Sequence, residues 1–361
     1  MELRKIRVGI IGGAGYTGGE LLRILIHHAQ VEICFVHSNS NANNCLYDVH
    51  TDLLGDTELR FCGDEVLKTL STGDGLDEID VLFLCVGHGD ASKFLSSTVL
   101  NKSIKIIDLS QDFRIKENKH IHTEGVLTDV FHYPLPTTQY SQLPTRYWTY
   151  GLPELDRESI KTAQNIANPG CFATSIQLAL LPLASNGFLR SEIHISATTG
   201  STGAGQGLSA TSHFSWRNNN LSVYKAFEHQ HLHEISQTLK QVQQGFNSEI
   251  NLIPQRGDFT RGIMASMYTE CSLSLDKAFK LYEDYYSGHP FTHISKKNID
   301  LKQVVNTNKC LIYLEKHGNK LFIVSIIDNL LKGASGQAVQ NMNLMFGLEE
   351  TSGLKLKGTG F

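Results

Sequence analysis

The sequence predicts an α/β protein with two layers of organisation: a doubly wound parallel sheet first, then an α+β domain with a mainly antiparallel sheet. Three observations carry this. Apolar strand-like runs alternate with helical patterns through about the first 150 residues. A glycine-rich turn stands between the first run and the first helix. Beyond about residue 150 the pattern becomes strand-rich. A chain of 361 residues also exceeds what one hydrophobic core usually supports, so two domains are expected.

The elements follow in order. Ile6, Val8, Ile10 and Ile11 form a short buried strand, and Leu21, Leu22, Leu25 and Ile26 keep helical spacing after it. "VEICFVHS" reads as a second strand, "DVLFLCVG" as a later one preceded by a helix, and "IKIIDLS" as another. Strands alternating with helices imply a parallel sheet covered on both faces. The stretch from Asn39 to Gly75 is irregular and receives no element. "IHISATTGSTGAG", "GIMASMYTECSLSL" and "KCLIYLEKHGNKLFIVSIIDN" are strand-rich, whereas "TLKQVQQ" and "AFKLYEDYYSG" are helical. These predict a sheet with helices over one face. "LLKGASGQAVQNMNLMFGL" predicts a closing helix with Ala338, Met342 and Met345 on one side. Neither a low-complexity linker nor an internal repeat separates the halves.

Composition narrows the function classes. Hydrophobic residues make up 41% and charged residues 19%, as in ordinary globular proteins. A net charge of −4 offers no bulk attraction for nucleic acid or an anionic membrane. No apolar run approaches the ~20 residues that span a bilayer. The start, "MELRKIRVGIIGG", is charged and lacks the apolar region of a signal peptide, so a cytoplasmic setting is expected. The seven cysteines are odd in number and form no CxxC, which argues against a disulfide framework. Cys34 and Cys85 fall inside apolar strand runs and read as core.

The turn after the first strand reads Gly12-Gly13-Ala14-Gly15-Tyr16-Thr17-Gly18 and contains a GxGxxG. Between a strand and a helix, such glycines permit a tight turn and let backbone N–H groups approach a pyrophosphate. A glycine-rich turn without a ligand is the bland alternative. The context favours a Rossmann-type dinucleotide site formed by these seven residues. An NAD site usually carries an acid at the end of the second strand, for the ribose 2′-OH. Here Ser38, Asn39 and Ser40 occupy that place, so hydroxyl and amide donors favour NADP. No arginine stands there to clamp a 2′-phosphate.

"NPGCFATS" places Cys171 at the first turn of an apolar helix. Free cysteine is most often a buried small hydrophobe. A helix N-terminus, however, favours negative charge and lowers a thiol pKa, which yields the nucleophilic thiolate. Pro182 is expected to end or kink this helix. Further on, His229, His231 and His233 form an HxHxH run. In a strand all three face one way; in a helix only His229 and His233 share a face. Zinc is one reading of such a run. Without a second ligand cluster no metal is expected, and His231 and His233 are read as supporting or surface residues.

"VGIIGGAGYTGGELLRIL", "IIDLSQDFRI", "YGLPEL", "NPGCFATS", "TGSTGAGQG", "HQHLHEI" and "IDNLLKGASGQAVQNMNLMFG" occur in this order from Val8 to Gly347. The ordered set resembles the N-acetyl-gamma-glutamyl-phosphate reductase family, NADP-dependent enzymes of arginine biosynthesis. The resemblance implies a Rossmann domain over 1–163, a substrate and dimerisation domain over 164–324, and a segment over 325–361 whose helix returns to the first domain. It implies a homodimer or homotetramer. Cys171 matches the family's nucleophile, and His229, which heads "HQHLHEI", its acid/base. Gly203 and Asn329 join the cofactor-binding set, and Arg114 and Arg261 are candidates for the substrate's carboxylate or phosphate, since arginine binds both with a fork geometry. An ordinary salt bridge is the alternative for each arginine. Three departures stand out: Gln230 for the usual arginine, His233 for the usual proline, and Gln255 where histidine is frequent in a T-P-H-L-x-P-x-x-R-G segment.

The expected chemistry follows from the residues. A thiolate displaces phosphate from an acyl phosphate and forms a thioester, hydride reduces it, and the hemithioacetal collapses to an aldehyde. The substrate is expected to be an N-acylated gamma-glutamyl phosphate, because a free amine would let the semialdehyde cyclise. Two rivals remain: an aspartate-semialdehyde dehydrogenase with the same thioester chemistry, and an NADP-binding redox sensor without turnover. The latter has no need of Cys171 and His229 together.

Overall fold

A computed structural model describes residues 4–72, 79–115 and 146–360. The charged start at 1–3, which bore on the signal-peptide reading, lies outside the described residues. Through the first domain run β1 (Ile6–Ile11), α1 (Tyr16–Leu25), β2 (Val31–His37), α2 (Leu46–Val49), β3 (Phe61–Cys62), α3 (Glu65–Thr72), β4 (Val81–Leu84), α4 (Asp90–Ser97), β5 (Lys105–Asp108), β6 (Thr149–Tyr150), α5 (Pro153–Thr162) and β7 (Asn165–Ala167). All seven strands are parallel, in the order β3-β2-β1-β4-β5-β7-β6. The order reverses between β1 and β4, and the crevice at such a switch point is where open α/β sheets take ligands. The glycine turn leaves β1 there. The irregular stretch after Asn39 contains two 3-10 turns, α2, β3 and α3, elements too short to leave a period in the sequence.

Next come α6 (Cys171–Ser185), β8 (Ile193–Thr199), α7 (Phe214–Arg217), β9 (Ser222–Val223), α8 (His231–Val242), β10 (Ile250–Arg256), β11 (Ile263–Glu270), α9 (Leu275–Tyr286), β12 (Thr292–Ser295), β13 (Cys310–His317), β14 (Lys320–Ile327) and α10 (Gly336–Met345). The second sheet runs β12-β13-β14-β11-β8-β10-β9. Four of its pairings are antiparallel, while β8–β10 and β12–β13 are parallel. Helices α6, α8 and α9 cover one face, and their apolar side chains join those of β8, β11 and β14 in one core. The opposite face leaves Ile253 and Tyr268 exposed.

Two expectations are corrected here. Pro182 does not end α6 at its position, since the helix continues to Ser185. Proline lacks the N–H that would bond the Leu178 carbonyl. The Tyr286 hydroxyl donates to that carbonyl instead, and Tyr282 donates to Ala179 O at 2.6 Å. Second, α10 is buried on all sides rather than one. Ala338, Met342 and Met345 do enter the core of the first domain, beside Val8, Ile10 and Leu21. The other face buries amides that find partners: Gln337 donates to Thr174 Oγ1 at 3.1 Å and Asn341 to Gly151 O at 2.8 Å. Strand β7 carries the first sheet to Ala167 and β14 carries the second to Ile327. Chain reversal at α10 brings the C-terminal segment onto the first domain.

Candidate active site

The glycine turn is shaped by contacts that exclude side chains. Gly12 has φ +79°, and a Cβ there would lie 2.5 Å from the Cys85 carbonyl oxygen. The N–H groups of Gly12 and Gly13 donate to His37 O at 3.1 and 3.0 Å, which holds the turn against β2. A Cβ on Gly18 would meet Gly13 O at 2.5 Å, so α1 packs directly on the turn. Gly15 is different. Its nearest neighbour, Gly12 O, is 4.0 Å from an added Cβ, and as the N-cap of α1 it makes no side-chain cap. Ala14, Tyr16 and Thr17 complete an open backbone surface at the helix start, where N–H groups and the dipole suit a pyrophosphate.

Ser38 and Ser40 sit side by side after β2. Their hydroxyls are 3.4 Å apart, and Asn41 Nδ2 donates to them at 3.2 and 3.1 Å. The structure adds a carboxylate that the linear reading of this place missed. Asp64 accepts from Asn39 Nδ2 at 2.7 Å and lies 3.0 Å from His37 Nε2. Those two hydrogen bonds hold its carboxyl below the ordinary range. Gly203 lies in the 3-10 turn Ser201–Ala204. Asn329 pins that turn: its Nδ2 donates to Thr202 Oγ1 at 3.0 Å while its Oδ1 accepts from Gly262 N at 2.7 Å.

The second cluster surrounds Cys171, the first residue of α6, with Gly170 as its N-cap. Asn168 fastens the approach by donating to Ala334 O at 3.1 Å and accepting from Asn341 at 3.0 Å. Close packing leaves no room for side chains around the thiol. A Cβ on Gly170 would fall 2.3 Å from His231 Nε2 and 2.8 Å from Arg114 Nη1; one on Gly333 would fall 2.8 Å from Cys171 Cβ. Glu234 ties these pieces together. It accepts from Gly170 N and Tyr150 Oη at 2.9 Å each and from Arg114 Nη1 at 3.2 Å, with His231 Nε2 at 3.8 Å.

Burial pushes the Cys171 thiol up to about 11, with Glu234 adding to the rise, while Arg114 and the Phe172 N–H pull it down. The lowered thiol expected from a helix start is thus outweighed by desolvation. His229 precedes α8 and lies buried among rings, 5.3 Å from Phe172, 5.7 Å from Tyr224 and 4.7 Å from His231 between centroids. Burial, then His231 and Lys225, push it down to about 3, so its imidazole is neutral near pH 7. Its Nδ1 accepts the His231 N–H at 3.2 Å, which assigns the proton to Nε2. His231 opens α8 and is buried; His233 is exposed, so the two do not share a ligand set with His229. Among the described residues no three His, Cys, Asp or Glu groups gather as a metal ion requires.

The two arginines separate. Arg114 is buried in the thiol cleft, with Nη2 donating to Leu109 O at 2.9 Å and Nε without a hydrogen-bond partner. Arg261 stands elsewhere: it pairs with both oxygens of Glu20 at 2.7 and 2.9 Å and with Asp328 at 3.0 and 3.2 Å. Its fork therefore bridges α1 of the first domain to the end of β14, as a salt bridge rather than an open anion site. The departures are also placed. Gln255 exchanges hydrogen bonds with Thr198 and Ser196, and Gln230 accepts from Lys225 at 3.4 Å. Sequence reasoning missed two cleft residues. Glu234 was available as the acid one turn after His231. Arg256, whose guanidinium lies 4.7 Å over the Tyr224 ring, was signalled only by the unusual "IPQRG".

Comparison with known proteins gives the family. A family model described as the NAD binding domain of semialdehyde dehydrogenase matches residues 7–163, and one described as the dimerisation domain matches 171–329. A protein of Bacteroides thetaiotaomicron named N-acetyl-gamma-glutamyl-phosphate reductase is 55% identical over 99% of this chain and 100% of its own length. One of Christiangramia forsetii with the same name is 53% identical over the same shares. The fold is similar to the solved aspartate semialdehyde dehydrogenase II of Vibrio cholerae, with TM-score 0.67, 14% identity, and coverage of 96% of this chain and 99% of that one. Full-length identity above half, with both domain models in register, makes this chain a member of the N-acetyl-gamma-glutamyl-phosphate reductase family within the semialdehyde dehydrogenases.

Proposed function

We propose that the chain reduces N-acetyl-gamma-glutamyl phosphate to N-acetyl-glutamate 5-semialdehyde and phosphate, with NADPH as reductant, in arginine biosynthesis. The observation that carries this reading is the convergence of Cys171, neutral His229 and Arg114 in one buried cleft tied by Glu234. The Cys171 thiol attacks the acyl carbon and its proton passes to the departing phosphate, which leaves a thioester on sulfur. The bound dinucleotide supplies hydride to the thioester carbonyl. His229 carries its proton on Nε2, so it donates a hydrogen bond to the alkoxide as the hemithioacetal forms, and the alkoxide re-forms the carbonyl as the C–S bond breaks and sulfur leaves as thiolate. Arg114 anchors an anionic group of the substrate through its unpartnered Nε and favours the thiolate.

The open turn at Gly12–Gly18 fits a pyrophosphate. Ser38, Ser40 and Asn41 offer donors to a 2′-phosphate, and Asp64 is already engaged by Asn39 and His37. NADP is therefore the proposed dinucleotide, with Gly203 and Asn329 shaping the nicotinamide end. Arg261 acts as a clamp between domains. The apolar residues on the open face of the second sheet support a homodimer, or a homotetramer built from it. A cytoplasmic setting suits cysteines that form no disulfide among the described residues. Among the described residues no helix is long and apolar enough to cross a membrane.

The deciding experiment runs the reverse reaction with NADP and phosphate on N-acetyl-glutamate semialdehyde and on aspartate semialdehyde. Faster turnover of the first is expected. Faster turnover of the second would leave the thioester chemistry and overturn the substrate.

A further inference from the structure

We propose that Lys332 is a positioning residue for the nucleophile: its buried ion pair with Glu154 seats one π-helical turn against Cys171. The inference rests on Cys171 as nucleophile and deepens that reading. The turn is Leu331–Ser335, between β14 and α10. Its wide bonds run from the Gly333 N–H to Asp328 O at 2.9 Å and from the Ser335 N–H to Leu330 O at 2.8 Å. Single π turns are rare and gather at functional sites. This one meets both halves of the site. A Cβ on Gly333 would fall 2.8 Å from Cys171 Cβ, and Ala334 O accepts from Asn168 just before the thiol. Ser335 Oγ donates to Thr17 O in the glycine turn at 2.7 Å.

The side chain of Lys332 is anchored in a different part of the fold. Its Nζ stands 2.8 Å from Glu154 Oε1 and donates to Gln340 Oε1 at 2.9 Å, and both charged side chains are fully buried. Glu154 belongs to the first turn of α5, and Thr292 Oγ1 of β12 donates to the same oxygen at 2.9 Å. Its Oε2 is buried without a hydrogen-bond partner, so the carboxylate depends on the lysine. Desolvation raises this carboxyl, but the Lys332 ammonium more than offsets it and holds the group below its ordinary range. Such a pair is a poor source of stability, because desolvation cancels most of the attraction and apolar residues of similar volume serve as well. What it supplies is a fixed place. The ammonium has one position that satisfies both Glu154 and Gln340, and the backbone at 332 follows it. Gly333 and Ala334 come next in the chain, so a displacement at Lys332 passes straight to the thiol. Without the anchor the turn is free to tighten toward α-helical bonding, which moves Gly333 off Cys171 and admits water to sulfur. Lys332 thus acts through Gly333 and not on a reacting atom.

Two readouts on the whole protein test this: Cys171 alkylation by iodoacetamide, read on its peptide by mass spectrometry, and forward kcat. The first needs no substrate, so it fails or succeeds independently of the reaction assigned above. Lys332→Met alone leaves a buried carboxylate uncompensated. The neutral double variant, Lys332→Met with Glu154→Gln, therefore carries the test if the single variant does not fold. In the double variant alkylation at a fixed pH below the thiol pKa should speed up about tenfold, as one unit of relieved desolvation gives. Forward kcat should nonetheless fall about tenfold to a hundredfold, because sulfur is misplaced. KM for the acyl phosphate should move little. Arg157→Gln is the control: it breaks the neighbouring pair with Glu350, 3.1 Å, on the same helix α5. It should lower the unfolding midpoint and leave both readouts at wild-type values. Wild-type alkylation and kcat in the double variant overturn the proposal. So does an equal shift of both readouts in Arg157→Gln, which would reduce the buried pair to general stability.

Discussion

The glycine turn and the thiol cleft are built on opposite principles. The turn uses seven consecutive residues and works through backbone, because the exclusion of side chains at Gly12 and Gly18 lets α1 start with its N–H groups exposed. The cleft uses side chains from segments far apart in the chain, at Arg114, Cys171, Tyr224, His229, Glu234 and Arg256, and works through charge held under burial. A backbone site fails by collision, whereas a buried charge site fails by loss of one partner. The two regions should therefore respond differently to the same kind of perturbation.

The largest separation is expected from Cys171→Ser, which should reduce turnover by at least about a thousandfold. Cofactor affinity, measured by fluorescence titration with NADPH, should stay within a factor of two or so of the wild type. Near-normal turnover would remove the cleft from the chemistry. His229→Asn comes next, with a loss of about 10²- to 10⁴-fold in kcat and little change in cofactor binding. Should His231→Asn prove the more damaging, the Nε2–H assignment built on the His231 N–H bond is misplaced.

Arg261→Ala tests the link between the regions. Removing it leaves the buried Asp328 without its cation while Glu20 keeps Arg23 at 3.0 Å, and breaking a buried pair costs about 3–5 kcal/mol. Denaturant melts should show that loss, and KM for the acyl phosphate should move less than in Arg114→Ala. A large KM effect with unchanged stability would return Arg261 to the substrate. Gly12→Ala should act on the turn alone. A left-handed φ and a Cβ 2.5 Å from Cys85 O predict weaker NADPH binding and a stability loss of about 1–3 kcal/mol. The rate of Cys171 alkylation should be unchanged.

The smallest effect per step is expected with pH. His229 is held at about 3 and His231 is also held low, both by burial first. The folded state then binds fewer protons than the unfolded chain below about pH 6.5. Their contribution to stability is complete above that value and falls as pH drops from about 6.5 toward 3, by up to about 1.4 kcal/mol per unit for each histidine. Asp108, pushed up to about 6 by burial, works the other way between about pH 6 and 4, so the net slope should be shallower there. Unfolding midpoints that do not fall between pH 6.5 and 5 would contradict the neutral imidazoles.

Much of the first region could be read directly. The alternation of Ile6, Val8 and Ile10, the glycines at 12, 15 and 18, and the helical spacing of Leu21, Leu22 and Leu25 each depend on neighbours within a few residues. Cys171 was legible for the same reason, through Pro169-Gly170 before it and an apolar helix after it. Harder to see was Pro182, because the group that makes it tolerable in α6, the Tyr286 hydroxyl, arrives from α9 more than 100 residues away. Asp64 beside Asn39 and the closeness of Gly333 to Cys171 have the same origin.

The sequence by itself determined an alternating first half with a strand-rich second half, the glycine turn between the first strand and helix, and a candidate thiol at a helix start. Those features follow from periodicity and backbone geometry, which are local. Tertiary structure alone decided that Arg261 clamps the domains while Arg114 enters the cleft, that Glu234 joins Gly170, Tyr150 and Arg114, and that burial holds Cys171 high and His229 low. An arginine pairs with whichever carboxylate the fold brings to it, and a titrating group takes its pKa from the solvent it loses. Neither is written in the residues on either side.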